Sequence, residues 1–163
     1  MAVTNDDEVT LEPERSARLR KVLEEEIPFN RALGMEVLEL AHGEATMRVR
    51  HAAHLAASAE RGELHAAVVS SLLDATCAAA VLVDLGEGIR IATLDLRIDR
   101  FGRCAASGDV VARASLVHCT QDVAFVQGVA SCVETGNVIA RAASAFVLIH
   151  AAATEIPGER NEP

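Results

Sequence analysis

Six stretches of the chain carry strand patterning: residues 35–40, 44–50, 89–101, 110–119, 123–134 and 138–149. Alternation with period two puts successive side chains on opposite faces of a sheet. Over residues 44–50, Ala45, Met47 and Val49 fall on one face, and Glu44, Thr46, Arg48 and Arg50 on the other. Over residues 89–101 the same rule groups Leu94, Leu96 and Ile98 against Thr93, Asp95, Arg97 and Asp99. Within 110–119, Arg113 and Ser115 stand opposite Ala112 and Ala114. The breaks between strands are short: His42-Gly43, Ser107-Gly108-Asp109, Thr120-Gln121-Asp122 and Thr135-Gly136-Asn137. Turns of that length join antiparallel neighbours.

Two stretches carry helical patterning. Residues 14–27 place Leu19, Val22, Leu23 and Ile27 on one stripe, and Pro28 is expected to end that helix, with residues 29–34 as a short loop. Residues 64–85 are different in kind. They are rich in Ala and Leu, lack Gly and Pro, and are apolar nearly all round. Such a helix is enclosed by protein or spans a membrane. Asp74 in its middle opposes a span, since a charge at that depth costs about 2.5–3.5 kcal/mol. The half-apolar strands also need a partner. The expectation is a long helix enclosed by a curved sheet and stopped by Gly86-Glu87-Gly88. Residues 51–63 are a connection, and 1–12 and 151–163 are polar tails expected to be disordered.

Two strands, a long helix and four strands make an α+β layer, an antiparallel sheet with one helix on one face. The 163 residues suit a single core, with the domain at 29–150. Trp and Tyr are absent and Phe numbers four, so Ala, Val and Leu must fill that core. The net charge of −9, without a basic stripe, argues against nucleic acid and against an anionic membrane surface. No signal peptide is visible, which points to the cytoplasm. Cys77, Cys104, Cys119 and Cys132 show no framework spacing and are expected as free thiols. His51 and His54 stand three apart with no third ligand nearby, so no metal site is assigned.

Asp74 is then the residue most in need of a reason. A buried carboxylate is costly unless it is paired, hydrogen-bonded or open to a cavity. Burial also makes it a stronger base. The helix start supplies complementary chemistry: its first N–H groups lack internal partners and lie at the positive end of the dipole. Ala66 offers such an N–H to a developing oxyanion.

Leu64-His65-Ala66-Ala67 at the helix start, an acidic residue nine positions after His65, Thr93-Leu94-Asp95 on the next strand and the Gly108-Asp109 turn together resemble one known family. They are similar to the hotdog-fold acyl-CoA thioesterases of the phenylacetic-acid-degradation type. The likeness runs over residues 29–149. It implies a hotdog fold, a curved antiparallel sheet wrapped around one central helix. It also implies hydrolysis of an acyl-CoA thioester to the free acid and coenzyme A, with neither metal nor redox cofactor. In that reading Asp74 is general base or nucleophile, Ala66 the oxyanion donor, His65 an orienting group and Thr93 a holder of the attacking water. Ala67, Arg103 and Gly108 would border the substrate. Arg90, Arg100 and Arg113 are further candidates to meet the coenzyme's phosphates.

The chain departs from the family pattern at three places. Both glycines of the helix opening are Ala66 and Ala67, Ala59 replaces an asparagine, and Gly102-Arg103-Cys104 stands for an Arg-Pro-Ala. A hydratase or dehydratase acting on acyl thioesters, and a hotdog protein that binds acyl-CoA without cleaving it, are the alternative functions. The resemblance further implies a homodimer or homotetramer in which each site takes the helix start from one subunit and Asp74 from the other. Nine residues of helix span about 13 Å, too far for one carbonyl to touch both ends.

Overall fold

The structure, a computed structural model, describes residues 12–150 except 59, 61, 87 and 105. Residues 1–11 and 151–163 of the two tails, and Ala59, therefore lie outside the described residues. The strands are β1 (Met35–Ala41), β2 (Glu44–Val49), β3 (Arg90–Arg100), β4 (Val110–Cys119), β5 (Val123–Cys132) and β6 (Val138–Ile149). They form one sheet in the order β1-β2-β4-β5-β6-β3, and every neighbouring pair is antiparallel. The helices are α1 (Pro13–Lys21), α2 (Pro28–Ala32) and α3 (Ala66–Leu82). The long helix α3 packs on β2, β4 and β5, and the sheet curves over it in the hotdog arrangement that the resemblance implies.

The core forms where inward strand positions meet α3. Met47, Leu72, Leu73, Ile139 and Phe146 are almost fully buried, and the remaining space is filled mainly by Ala and Val. Small side chains let the helix approach closely. The nearest approach is at Gly128 on β5, where an added Cβ would lie 2.9 Å from the Cys77 sulfur and 3.2 Å from Leu73 Cδ2.

Pro28 begins a helix rather than ending one. A proline at the first helical position has its φ already set and loses no needed N–H, so residues expected as a loop form α2. Between α1 and α2 the chain makes a π-helical turn, Val22–Glu26. The buried Asn30 side chain donates to the Leu23 carbonyl at 3.0 Å and ties α2 back to that turn.

This N-terminal segment closes one edge of the sheet. At Val37 on β1 the backbone N–H donates to the Glu24 carboxylate at 2.6 Å, and the backbone carbonyl accepts from the Arg20 guanidinium. The two side chains occupy the positions that a further strand would take. Arg15 also donates to the carbonyls of Leu82 and Leu85, capping the end of α3 with a cation. No comparable cover lies over β3 among the described residues.

Three expectations are corrected. First, α3 is not enclosed on every side, because one sheet covers one face. Ala67 is exposed and Ser71, Asp74 and Ala78 are half-buried along the stripe that faces away from the sheet. Second, strand alternation in β3 breaks. A bulge at Leu94 shifts the register between Thr93 and Asp95, so Thr93, paired with the buried Phe146, shares the helix-facing side with Leu96 and Ile98. Third, Cys104 and Cys132 are not free thiols; they form a disulfide across a sequence separation of 28. Its Cα–Cα distance of 5.0 Å lies within the ordinary range. The β4–β5 ladder sets Cys132 opposite Val110, and the loop before β4 folds Cys104 back onto it. Cys77 and Cys119 remain free.

Candidate active site

His65 has an extended backbone (φ −61°, ψ 144°), and its side chain closes the start of α3 as the N-cap. Its Nδ1 accepts the Ala67 N–H at 3.1 Å. A ring nitrogen that accepts carries no hydrogen, so in the neutral ring Nε2 bears the proton and is a donor. The His65 N–H in turn donates to the Leu55 carbonyl at 2.8 Å, which fixes the chain entering the helix. Ala67 therefore spends its N–H on the cap. The Ala66 N–H has no acceptor among the described residues and lies exposed at the positive end of the helix. Ser70 and Ser71 donate back to the carbonyls of Ala66 and Ala67 and leave those first N–H groups untouched.

A cleft of about 520 Å³ opens at this helix start. Glu63, His65, Ala66, Arg100, Phe101 and Arg103 line it. Arg103 pairs with Glu63 at 3.2 Å. Arg100 ends β3 on the helix-facing side, opposite the buried Ala140, so its side chain enters the cleft. Phe101 beside it is largely exposed. The cleft thus carries two guanidinium groups, an aromatic ring, a ring N–H donor and a free backbone N–H, a set suited to an anionic ligand with a polarised carbonyl. Of the arginines expected to meet phosphates, Arg100 and Arg103 line the cleft, whereas Phe101, read only as the end of a strand, is the lining residue that sequence patterning did not single out.

Asp74 lies elsewhere, two and a half turns along α3, and accepts from the Thr93 hydroxyl at 3.3 Å. Neither residue lines the cleft. One chain therefore presents two half-arrangements, a donor set at the helix start and a carboxylate–hydroxyl pair at the helix middle. Cys77, one turn after Asp74, is no competing nucleophile. Burial, and secondly the Asp74 charge, push its thiol up to about 12, which leaves it protonated and inert.

Gly108 is buried in the turn before β4 and does not reach the cleft. The adjacent Asp109 is a junction: its carboxylate accepts from the His51 N–H at 2.8 Å and its N–H donates to Glu134 at 3.0 Å. Arg90 and Arg113 lie away from the cleft, Arg113 in a second hollow of about 350 Å³ on the outer face of the sheet with Glu39, Glu44 and Gln127. The metal-ligand cluster found among the described residues joins Cys104, Cys132 and Glu134 rather than His51 and His54, and its two sulfurs are bonded to each other. Sequence spacing hid this group because Cys104 lies in the loop before β4 while Cys132 and Glu134 lie at the end of β5 and in the turn after it. No helix among the described residues is long and apolar enough to cross a membrane.

The sequence matches no protein-family model and no curated protein. Solved structures do match. A Pseudomonas aeruginosa protein is 27% identical with a TM-score of 0.72, over 82% of this chain and 98% of its own. A protein described as from the thioesterase superfamily is 26% identical with a TM-score of 0.71, over 82% of this chain and 97% of its own. A variant of the phenylacetic acid degradation protein PaaI from Thermus thermophilus is 27% identical with a TM-score of 0.65, over 74% of this chain and 97% of its own. The structural neighbours are thus thioesterase-superfamily and PaaI proteins, in agreement with a PaaI-like hotdog thioesterase.

Proposed function

We propose that the protein is a thioester hydrolase that splits an acyl-CoA into the free acid and coenzyme A, working as an oligomer with shared sites. The observation that carries this reading is the division of the machinery. The free Ala66 N–H and the Asp74–Thr93 pair suit the two halves of a carbonyl attack, yet they lie about 12 Å apart along one helix. A two-fold axis beside α3 supplies the missing half. Antiparallel approach of two such helices sets the Ala66 N–H of one chain against Asp74 of the partner subunit, and builds two equal sites. The open stripe of α3 and the uncovered β3 edge are the surfaces available for that approach, while Arg20 and Glu24 close the opposite edge.

In the assembled site the Ala66 N–H, backed by the helix dipole, receives the thioester oxygen as it gains charge. The His65 Nε2–H orients the carbonyl or the sulfur leaving group. Asp74 takes a proton from water, and Thr93 holds that water and the unused carboxylate oxygen in line. Direct attack by Asp74 would instead break the thioester C–S bond, release the coenzyme A thiolate and leave an anhydride that water then opens. Single turnover in 18O-labelled water separates the two, since opening of the anhydride at the Asp74 carboxyl carbon leaves label in that carboxylate, whereas the base route puts label only in the released acid. Arg100 and Arg103 suit the coenzyme's phosphates, with Phe101 as a stacking surface for the adenine. Ala66 and Ala67 narrow the space beside the thioester without removing either N–H.

The test is thiol release from short, aromatic and long-chain acyl-CoAs. Release that is lost in Asp74→Asn supports the reading. A change in enoyl absorbance without thiol release would favour the hydratase alternative, and binding with neither reaction would favour a non-catalytic acyl-CoA carrier.

A further inference from the structure

We propose that the Cys104–Cys132 bond is a reversible redox site that sets the shape of the cleft at the helix start. The wall of that cleft is the segment from Phe101 to Arg103. Its upstream end is held by the N–H groups of Phe101 and Gly102, which donate to the Ile139 carbonyl at 2.9 and 3.2 Å. Its downstream end is held at Asp109, whose N–H and carboxylate are both engaged. Between these anchors few restraints act among the described residues. Arg103 makes a surface ion pair with Glu63, and Ser107, at φ 63°, donates one N–H to the Gly62 carbonyl at 2.9 Å. Exposed pairs of that kind contribute little. The covalent tether in this span is Cys104.

Both contacts end on Gly62 and Glu63, immediately before Leu64 and the capping His65. The Glu63 carbonyl also accepts the Ala57 N–H at 2.8 Å, closing the small loop that leads into α3. The Cys104 loop therefore adds a second hold on the chain entering the helix, beside the Leu55 carbonyl, and places the Arg103 charge.

The surroundings of the sulfurs suit two states rather than one. Cys104 and Cys132 are 7% and 1% exposed. The Glu134 carboxylate lies 3.2 Å from Cys132 Sγ and 3.8 Å from Cys104 Sγ, and the Asp109 carbonyl lies 3.4 Å from Cys104 Sγ. A disulfide has no hydrogen to give these oxygens. Two thiols would, and on reduction both would find acceptors already in place. A buried thiol pair with ready acceptors carries no unsatisfied donor, so the reduced state is not penalised at this point.

The chemistry is ordinary exchange with a dithiol such as dithiothreitol. A reagent thiolate attacks Cys104 Sγ, the sulfur of the more exposed residue. The protein S–S bond breaks and Cys132 leaves as a thiolate that takes up a proton. The reagent's second thiol then displaces Cys104, giving a cyclic reagent disulfide and two protein thiols. Two electrons and two protons pass to the protein. Oxidised glutathione reverses the change and is released as two molecules of glutathione.

The experiment uses the full chain, first oxidised with glutathione disulfide. Unfolding and alkylation without reductant should add two groups, at Cys77 and Cys119, and four after dithiothreitol. Four groups in the oxidised sample would overturn the proposal. Amide hydrogen exchange is then followed by mass spectrometry over residues 57–67 and 101–109. Reduction should speed exchange there by about tenfold, as expected when a local anchor is released. Cys104→Ser and Cys132→Ser should exchange at the fast rate with or without dithiothreitol. Equal exchange in both redox states would refute the link between sulfur and cleft. These readouts need no substrate. The proposal rests on the thioesterase reading only for its kinetic corollary, a kcat/KM that falls on reduction. Failure to find hydrolysis would remove that reading and leave the mass and exchange results to decide this one.

Discussion

The Thr93 hydroxyl donates to the Asp74 carboxylate across 3.3 Å, although simple strand alternation would turn Thr93 to the opposite side of the sheet. One residue, Leu94, accounts for the difference. Placed in a bulge, it lets Thr93 and Leu96 face α3 together, and it is itself left 59% exposed on the uncovered edge strand.

If Asp74 drives the attack, Asp74→Asn keeps the shape and removes the base. Turnover should fall at least about a hundredfold, the low end of what a positioned acid or base supplies, with the circular dichroism spectrum unchanged. Thr93→Val should give a smaller loss of turnover in the same assay. Near-normal thiol release from folded Asp74→Asn would end the assignment.

Gly128 tests the close packing of helix on sheet. Gly128→Ala puts a methyl group 2.9 Å from the Cys77 sulfur, so the helix or the strand must shift. Urea unfolding should show a loss of about 1–3 kcal/mol, typical of an overpacked core. Adding Cys77→Ala should restore part of it, because the two side chains then share the space.

Most of the fold is legible in the sequence. Alternation locates all six strands, and β4 and β6 begin and end where the pattern does. His65 and Asp74 can be singled out because a polar group in an apolar helix demands a reason. What escapes has a physical cause in each case. The bulge at Leu94 breaks the period on which strand reading depends. Pro28 serves equally to stop a helix or to start one, and only the packing of Asn30 on Leu23 decides. The open stripe of α3 was hidden because small residues suit an enclosed surface and an interface alike. Cys104 and Cys132 meet through the β4–β5 register, which spacing does not reveal.

Glu36 on β1 offers a pH test of the outer face. Hydrogen bonds from Arg48 and then Arg50, with their charges, hold its carboxyl below the usual glutamate value. A depressed folded value means stability that is present above the unfolded value and lost as pH falls through the folded one. Glu36→Gln should therefore lower stability at neutral pH, by less than about 1 kcal/mol since the cluster is part-exposed. The difference from wild type should vanish in acid. A constant difference from pH 7 down to pH 2 would contradict the assignment.

Removal of the edge cover should have a different signature. Arg20→Ser with Glu24→Ser uncovers the Val37 N–H and carbonyl on β1, the groups a foreign strand would use. Static light scattering on storage should show growing aggregates, while fresh protein keeps its thiol-release activity.

The central claim is that each site is built from two chains. Its most direct test is complementation between two inactive variants, Ala66→Leu at the helix start and Asp74→Asn at the helix middle. Each is unfolded alone, then the two are mixed in equal amounts and refolded together. Random pairing makes half of the dimers mixed, and each mixed dimer holds one intact site and one doubly damaged one. The account predicts that thiol release returns to about one quarter of the wild-type level, as two-fold symmetry requires. Confirmed hybrids that remain as inactive as their parents would contradict it.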